Sequence, residues 1–589
     1  MNDLIKFYNQ ELETHKTKAS TLKKRLLLFS SLRLLVFSIT GIIIYITFSN
    51  WKLAITLGII GIITFVYLLS KYSDSKEKHK LYKALVRINE EELKIASGEF
   101  HHRNTGLQFQ DPKHFYSLDI DLFGKGSFFQ YLNRTMSSEG QIKLAETLKA
   151  NDISNIEERQ EAIKELSEKT KWSQFYTAAG SLIETETSAL DIIYWLKHHE
   201  NFISKKMKWV PLIFALISVS LLILAILSLL DVSFFGYWLF AGLGITGLYL
   251  KKINVLAVNS GKAKDTFKQY ASLLLHIEKE KFTSKLLQDK QKQIQSECKK
   301  ASVIFSEFTK HLDALDNRNN LIGAIFGNGY LLSDIKNAYK VEQWISKYGH
   351  KVEDWFEVVS FFDAYNSLGN YAFNHQDHVY PKISKDKTTL NAKHLGHPLL
   401  NKAKRISSDV NIDNEQFFIV TGANMAGKST FLRTVSLHIM MANVGLPVCA
   451  KSSTYSPVKL ITSMRTNDSL TDDSSYFFSE LTRLKFIVDA IKKEAYFIIL
   501  DEILKGTNSK DKAIGSRKFV EKLVSGNATG IIATHDLSLC EISKELDKVK
   551  NYYFDAQIVD DELYFDYKLK NGVCQNMNAS FLLKKMEII

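Results

Sequence analysis

The chain has little proline, little glycine and almost no cysteine. Six prolines and 28 glycines in 589 residues leave few helix breaks, which predicts long uninterrupted helices. The four cysteines, Cys298, Cys449, Cys540 and Cys574, lie far apart. Their spacing gives neither a zinc site nor a disulfide framework, and it fits a reducing compartment. The composition of a disordered chain is missing too: 45% of residues are hydrophobic and 24% charged, enough to bury a sizeable core. At roughly 150 residues per domain, the length predicts three or four units. Acidic residues are the scarcer charge, 64 against 76 Lys and Arg, for a net +12. That balance favours a polyanionic partner, either nucleic acid or an anionic membrane surface.

Charge is absent altogether from four apolar runs, at 34–49, 53–70, 209–230 and 232–250. Each is about long enough to cross the ~30 Å of hydrocarbon in a bilayer. They pair as two hairpins, the first turning at Asn50, Trp51 and Lys52 and the second at Asp231. A cleavable targeting segment does not fit, because the first run starts far into the chain, no small-residue cleavage site follows it, and a second run comes next. Lys16, Lys18, Lys23, Lys24 and Arg25 precede the first hairpin, and Lys71, Lys76, Lys78 and Lys80 follow it. Lys205, Lys206 and Lys208 precede the second, and Lys251 and Lys252 follow it. These flanks predict a multi-pass protein of the cytoplasmic (inner) membrane, with both termini in the cytoplasm. Arg33 is expected to snorkel to the interface. No run carries an ionisable residue at mid-depth, which argues for anchoring rather than for an ion or proton pathway.

Residues 75–100 carry a charged helical pattern, and residues 119–170 read as helical and amphipathic. Residues 253–318 are rich in Lys, Gln and Glu with Leu, Phe and Ile at helical spacing, which suggests a long exposed helix, either a lever or a solvated member of a bundle. A polar, turn-rich stretch at 380–395 marks a boundary. Beyond it, apolar strands at 416–421, 496–500 and 530–534 alternate with helical segments, the first at 429–441. That order predicts a parallel sheet covered on both faces.

The first of these strands runs into Gly422-Ala423-Asn424-Met425-Ala426-Gly427-Lys428-Ser429-Thr430, a complete G-x-x-x-x-G-K-S followed by a helix. Glycines there let backbone N–H groups wrap phosphates, and the helix N-terminus adds positive potential. Lys428 is the candidate for the β- and γ-phosphates of ATP, and the Ser429 hydroxyl the candidate ligand for Mg²⁺. Asp501 and Glu502 end the strand FIILDE, at the edge where open parallel sheets bind ligands. Asp501 would hold Mg²⁺ and Glu502 would orient or deprotonate the attacking water. His535, ending the strand IIATHD, is either a γ-phosphate sensor or a hydrogen-bonded core histidine.

These residues resemble the MutS mismatch-repair family. TGANMAGKSTFLR looks like that family's phosphate loop, including Asn424 and Met425, which generic ATPases lack. LDEILKGTNS and ATHD look like its second motif and switch histidine, and His397-Pro398 like the His-Pro ahead of its ATPase strand. Ser475 and Glu480, in SSYFFSEL, match the segment whose serine reaches the partner subunit's nucleotide. Asp121 to Thr135 and Ile156 to Leu166 match the start of its helical core. The resemblance implies an ATP hydrolase with Mg²⁺, a likeness to DNA-repair proteins, DNA as partner and a homodimer with Ser475 acting in trans. The chain departs from the pattern in several places. A hairpin and its linkers occupy the region of the family's mismatch reader, Asp473-Ser474 replaces the usual Gly-Arg, Tyr476 replaces a Thr, and the C-terminal helix-turn-helix looks truncated.

The fold class expected is α + α/β. A basic N-terminus (1–33), a first transmembrane hairpin (34–70), a helical linker (71–114) and a first core part (115–204) come first. A second hairpin (205–252), lever and core helices (253–390) and a P-loop, ABC-type ATPase domain (391–589) follow. The functional expectation is a membrane-anchored ATPase that binds DNA with little mismatch preference. The alternative is an ATP-dependent membrane scaffold or switch that binds protein instead. A transporter fits poorly, with no LSGGQ-like signature and too few spans, none of them polar.

Overall fold

A computed structural model describes residues 2–183, 185, 187–295, 299–316, 318, 320–465, 476–559 and 562–575. The scarcity of proline shows at once. Helices α1 (Asn2–Ile46) and α2 (Trp51–Ala96) are 45 and 46 residues long and form one antiparallel hairpin. At 1.5 Å per residue each is about 68 Å long, twice what a bilayer core needs. The basic N-terminus and the charged segment after the apolar run are therefore continuations of the same two helices. The turn falls at 47–50, where Asn50 caps α2 by accepting from Leu53 N–H at 3.3 Å. Arg33 lies over the rings of Tyr72 and Phe65, its guanidinium 4.4 Å and 5.9 Å from their centroids.

The charged base of this hairpin docks on a helical core. That core opens with α3 (Phe128–Leu132), α4 (Ser138–Lys149), α5 (Ile156–Glu168), α6 (Thr170–Gly180) and α7 (Ala189–Lys197). A second apolar hairpin follows, α8 (Val210–Ile226) and α9 (Val232–Lys279), with Asp231 capping α9 at Ser233 N–H. The core closes with α10 (Lys285–Gln293), α11 (Ala301–Asp316), α12 (Leu321–Leu331), α13 (Ser333–Tyr348) and α14 (Val352–Asn374). Tyr8 on α1 donates to Asn374 Oδ1 on α14 at 2.7 Å. On α2, Asn89 donates to Gln174 on α6 at 3.2 Å, and Glu92 pairs with the buried Arg134.

By length and composition alone, four helices among the described residues could cross a membrane, α1, α2, the helix ending at Ile226 and α9. No more than 17% of any of their apolar windows is buried. The expectation of one long exposed helix over 253–318 is corrected. The helix α9 ends at Lys279, α11 folds back beside it, and α10 packs on α5 and α14. The Leu, Phe and Ile spacing was the mark of a buried stripe: Ile253, Leu256, Phe267, Tyr270, Leu273 and Leu274 are all in the core. Phe267 meets Phe305 and Phe308 of α11 edge to face at 5.0 and 4.7 Å.

After α14 come β1 (Lys382–Ile383), β2 (Thr388–Leu395), β3 (Ser408–Asp413), β4 (Phe417–Gly422), α15 (Lys428–Val444), β5 (Ser452–Tyr455) and β6 (Lys459–Ser463). Then come α16 (Tyr476–Ile491), β7 (Tyr496–Asp501), α17 (Ser509–Ser525), β8 (Thr529–Ala533), β9 (Val549–Phe554), β10 (Gln557–Val559), β11 (Glu562–Tyr564) and β12 (Leu569–Asn571). The main sheet has the order β12-β9-β4-β8-β7-β6. It is parallel except for β12, which pairs antiparallel with β9, so the expected parallel sheet carries one antiparallel edge. Both faces are covered. Phe418 and Val420 of β4 join the core around α15, and Phe417 and Ile419 join the one around α17. A second sheet, β1-β5-β2-β3, was missed at the sequence level. The 380–395 stretch, expected to be a turn-rich boundary, contains β1 and β2. Its few apolar residues, among them Leu390, Ala392 and Leu395, turn inward while Lys and Asn side chains face out.

Candidate functional site

Strands β4, β7 and β8 are adjacent and parallel, so their C-terminal ends converge at one edge of the sheet. The chain leaves β4 at Gly422, turns through Ala423–Ala426, and enters α15 after Gly427. Gly427 has φ 104°, in the left-handed region, and an added Cβ would lie 3.1 Å from the Tyr567 ring. That conformation and that contact both call for glycine. Met425, at φ 67°, holds a left-handed conformation without glycine's freedom.

Lys428 is buried at the start of α15 and its Nζ donates back to the carbonyls of Gly422 (2.8 Å) and Ala423 (3.1 Å). Its ammonium is thereby centred on the loop. Burial pulls the Lys428 pKa down, against the opposing pull of Asp501 and Glu502. The next residue, Ser429, donates to Asp501 Oδ2 at 2.6 Å, joining the helix N-terminus to the end of β7. Glu502 follows with φ 49°, its N–H bonded to Ala533 of β8 at 2.9 Å. At the end of β8, His535 Nε2 lies 3.1 Å from Lys428 Nζ and 3.1 Å from Glu502 Oε1. Burial, with the Lys428 charge beside it, lowers the His535 pKa against the opposing pull of Glu502, which favours the neutral ring.

These groups share a cavity of about 540 Å³. Ala423, Asn424, Met425, Gly427, Lys428, Ser429, Thr430, Asp501, Glu502 and His535 line it, while Ala426 is buried beneath the loop. The structure thus brings together the sequence-expected residues on both sides of the sheet edge. Ser475 lies outside the described residues.

Glu480, in the SSYFFSEL segment, lies on α16. Buried on α16, its carboxylate accepts from Leu504 N–H (2.6 Å) and Lys505 N–H (3.0 Å), and burial raises its pKa. It therefore fixes the turn that follows Asp501 and Glu502, where Leu504 also has a positive φ of 60°. His397, of the His-Pro pair, is on the far wall of the cavity, and sequence reasoning missed its companions there: Leu400, Ile406, Phe554 and Tyr567. Burial and the nearby Arg433 and Arg405 hold the His397 pKa down to about 4, so this ring is neutral as well.

Comparison with known proteins agrees with this geometry. Residues 418–585 match MutS domain V. The chain is 31% identical over 243 residues to MutS protein homolog 4 of Homo sapiens, covering 39% of this chain and 25% of that protein. It is 32% identical over 224 residues to the DNA mismatch repair protein MutS of Methanococcoides burtonii, covering 36% and 25%. With the DNA mismatch repair protein MutS of Bacteroides fragilis it shares 30% over 221 residues, again 36% and 25%. The chain spans about a quarter of the length of these curated relatives. Strand β4, the loop, α15 and the ends of β7 and β8 all fall inside the matched region, and over this C-terminal part the chain is a MutS-family protein.

Proposed function

We propose that this protein is a MutS-type ATPase held in the cytoplasmic membrane by the α1–α2 and α8–α9 hairpins, working as a homodimer on DNA. The observation that carries the reading is the convergence of Lys428, Ser429, Asp501, Glu502 and His535 on one cavity at the sheet edge.

The residues fit ATP and Mg²⁺. Ser429 and Asp501 offer a hydroxyl and a carboxylate oxygen 2.6 Å apart, the hard donors that Mg²⁺ takes, with substrate phosphates as its usual further ligands. Bound Mg²⁺–ATP would supply the transferable γ-phosphoryl and the cation that neutralises its charge. Lys428 would turn its ammonium from the loop carbonyls to the β- and γ-phosphates. Backbone N–H groups at the start of α15 would cradle the same oxygens. Glu502, held by the backbone of β8, would orient the attacking water and take its proton. Neutral His535, beside both Lys428 and Glu502, would register the γ-phosphate by donating to it. The test is binding of a fluorescent ATP analogue to the detergent-solubilised protein with and without Mg²⁺. Lys428→Ala should weaken it at least about tenfold, the effect of losing ~1.4 kcal/mol, and unchanged affinity would remove the loop from the site.

DNA is proposed as partner on the net charge of +12 and on the relatives named as mismatch repair proteins. The described residues ahead of α3 form a helical hairpin and the largely irregular connection 97–127. Binding is therefore expected to follow phosphate number and salt rather than a wedge inserted at a mismatch. Competition between homoduplex and single-mismatch duplex at ~150 mM salt tests this. A preference of about tenfold or more, ~1.4 kcal/mol, would contradict it.

A further inference from the structure

Helix α12 reads LIGAIFGNGYL and carries no charge. Five of its large apolar side chains face outward: Leu321 is 74% exposed, Ile322 69%, Phe326 55%, Leu331 46% and Ile325 38%. At 11 residues and about 17 Å it is too short to cross a bilayer. Its other face is packed tightly on the second apolar hairpin. A Cβ added to Gly242 of α9 would lie 2.3 Å from the Gly329 carbonyl oxygen, so the two backbones touch. The Tyr330 ring stacks on Phe235 with centroids 4.2 Å apart. Ser218 of α8 donates to the Tyr330 carbonyl at 2.7 Å and accepts from Trp238 at 2.8 Å.

The depth of these contacts decides the surroundings of α12. Ser218 is midway along α8, and Gly242 is near the middle of the apolar run 232–250. The C-terminal end of α12 is thus fixed at mid-height on α8 and α9, beside their own exposed Ile217, Phe234 and Phe240. Close glycine packing with a serine hydrogen bond is how helices associate in lipid, where apolar burial gives no drive. Both helix ends, and the start of α13 beyond, are capped from within the protein, the direction hydrocarbon demands. Asn320 accepts from Gly323 N–H, Leu332 N–H bonds Gly327 O, and Asn328 Oδ1 accepts from Asp334 N–H.

We infer that α12 is a third membrane element, a re-entrant half-helix whose outer face lies against lipid acyl chains without crossing the bilayer. This rests on the membrane reading of α8 and α9 and adds to it a segment that a length criterion passes over. The experiment places bimane on Phe326→Cys, on Ile322→Cys as a second site, and on Val66→Cys in α2 as reference. The background is the full chain with Cys298→Ser, the other three cysteines being buried. Each protein is reconstituted into phosphatidylcholine and phosphatidylglycerol vesicles. Acyl chains brominated at mid-chain should quench the α12 labels and the Val66 label alike, by about twofold or more as for sites in the hydrocarbon, with iodide in water quenching none of them. Iodide quenching at 326 and 322 while Val66 answers to bromolipid would overturn the proposal and leave the hairpins in the membrane. Quenching of the α12 labels by neither agent would overturn it in favour of a protein contact. Iodide quenching of Val66 would sink the membrane reading and the proposal with it.

Discussion

Ser429 Oγ donates to Asp501 Oδ2 at 2.6 Å, across 72 residues of sequence. The bond ties the first turn of α15 to the last residue of β7, and it sets the two oxygens where one cation could take both. Around it the backbone supports Lys428, through the carbonyls of 422 and 423, and Glu502, through Ala533.

Glu480 is expected to act as a positioning residue. Its carboxylate receives two N–H groups from the turn after Glu502, a turn with two positive-φ residues, Glu502 and Leu504. Without it the turn loses two charge-assisted bonds, each ~1.5–3 kcal/mol. Glu480→Ala should lower kcat for ATP about tenfold or more while ATP affinity stays within about twofold, and Glu480→Gln should recover part of the loss. Equal loss of binding and turnover in Glu480→Ala would show a general defect of the domain.

Much of this site was legible because its parts are local. A glycine loop between a buried strand and a helix, and carboxylates at the end of another buried strand, are patterns of a few adjacent residues. The far wall was not legible. Apart from His397, named by its His-Pro motif, its residues come from far apart: Leu400 and Ile406 belong to the stretch joining β2 and β3, and Tyr567 arrives from 140 residues beyond Gly427, so only the fold brings them together. The helical half shows the converse error. The apolar spacing over 253–318 was real, but periodicity alone does not say whether a stripe faces lipid, water or a neighbour. Phe305 and Phe308 of α11 supply that neighbour.

Two copies are expected to complete each other's sites through Ser475. Lys428→Ala and Ser475→Ala proteins, each inactive alone, should recover hydrolysis when mixed, through sites that combine an intact loop with an intact serine. If the protein with ATP bound is strictly monomeric and hydrolyses at full rate, the homodimer reading fails.

The basic flanks set the expected topology. Cysteines placed at Asn50 and Asp231, in the two hairpin turns, should react with an impermeant maleimide applied outside intact cells. A cysteine at the exposed Lys262 on α9 should react only after lysis. The reverse pattern would invert the orientation.

Acid should destabilise the ATPase half through buried histidines. His438 on α15 is wholly buried with Nε2 3.0 Å from Ser453 Oγ, and burial pushes its pKa down to about 3. Unfolded, it would titrate near 6.5. The native state holds the neutral form, so its contribution is intact above ~6.5 and is lost as pH falls from there toward 3. At pH ~5 the loss is about 2 kcal/mol. Thermal unfolding at pH ~7.5 and ~5 should show a smaller drop in Tm for His438→Gln than for the unmodified chain. An identical drop in both would contradict this assignment.

The central claim is that Glu502 drives ATP hydrolysis at the edge of β7. The most direct measurement is steady-state Mg²⁺-dependent ATP turnover by the detergent-solubilised full chain and its Glu502→Gln variant, with ATP binding followed in parallel. The account predicts a Mg²⁺-dependent ATPase whose variant still binds ATP but turns over at least ~10²-fold more slowly, the usual contribution of a positioned general base. Undiminished turnover in Glu502→Gln, or no Mg²⁺-dependent turnover in the unmodified chain, would contradict it.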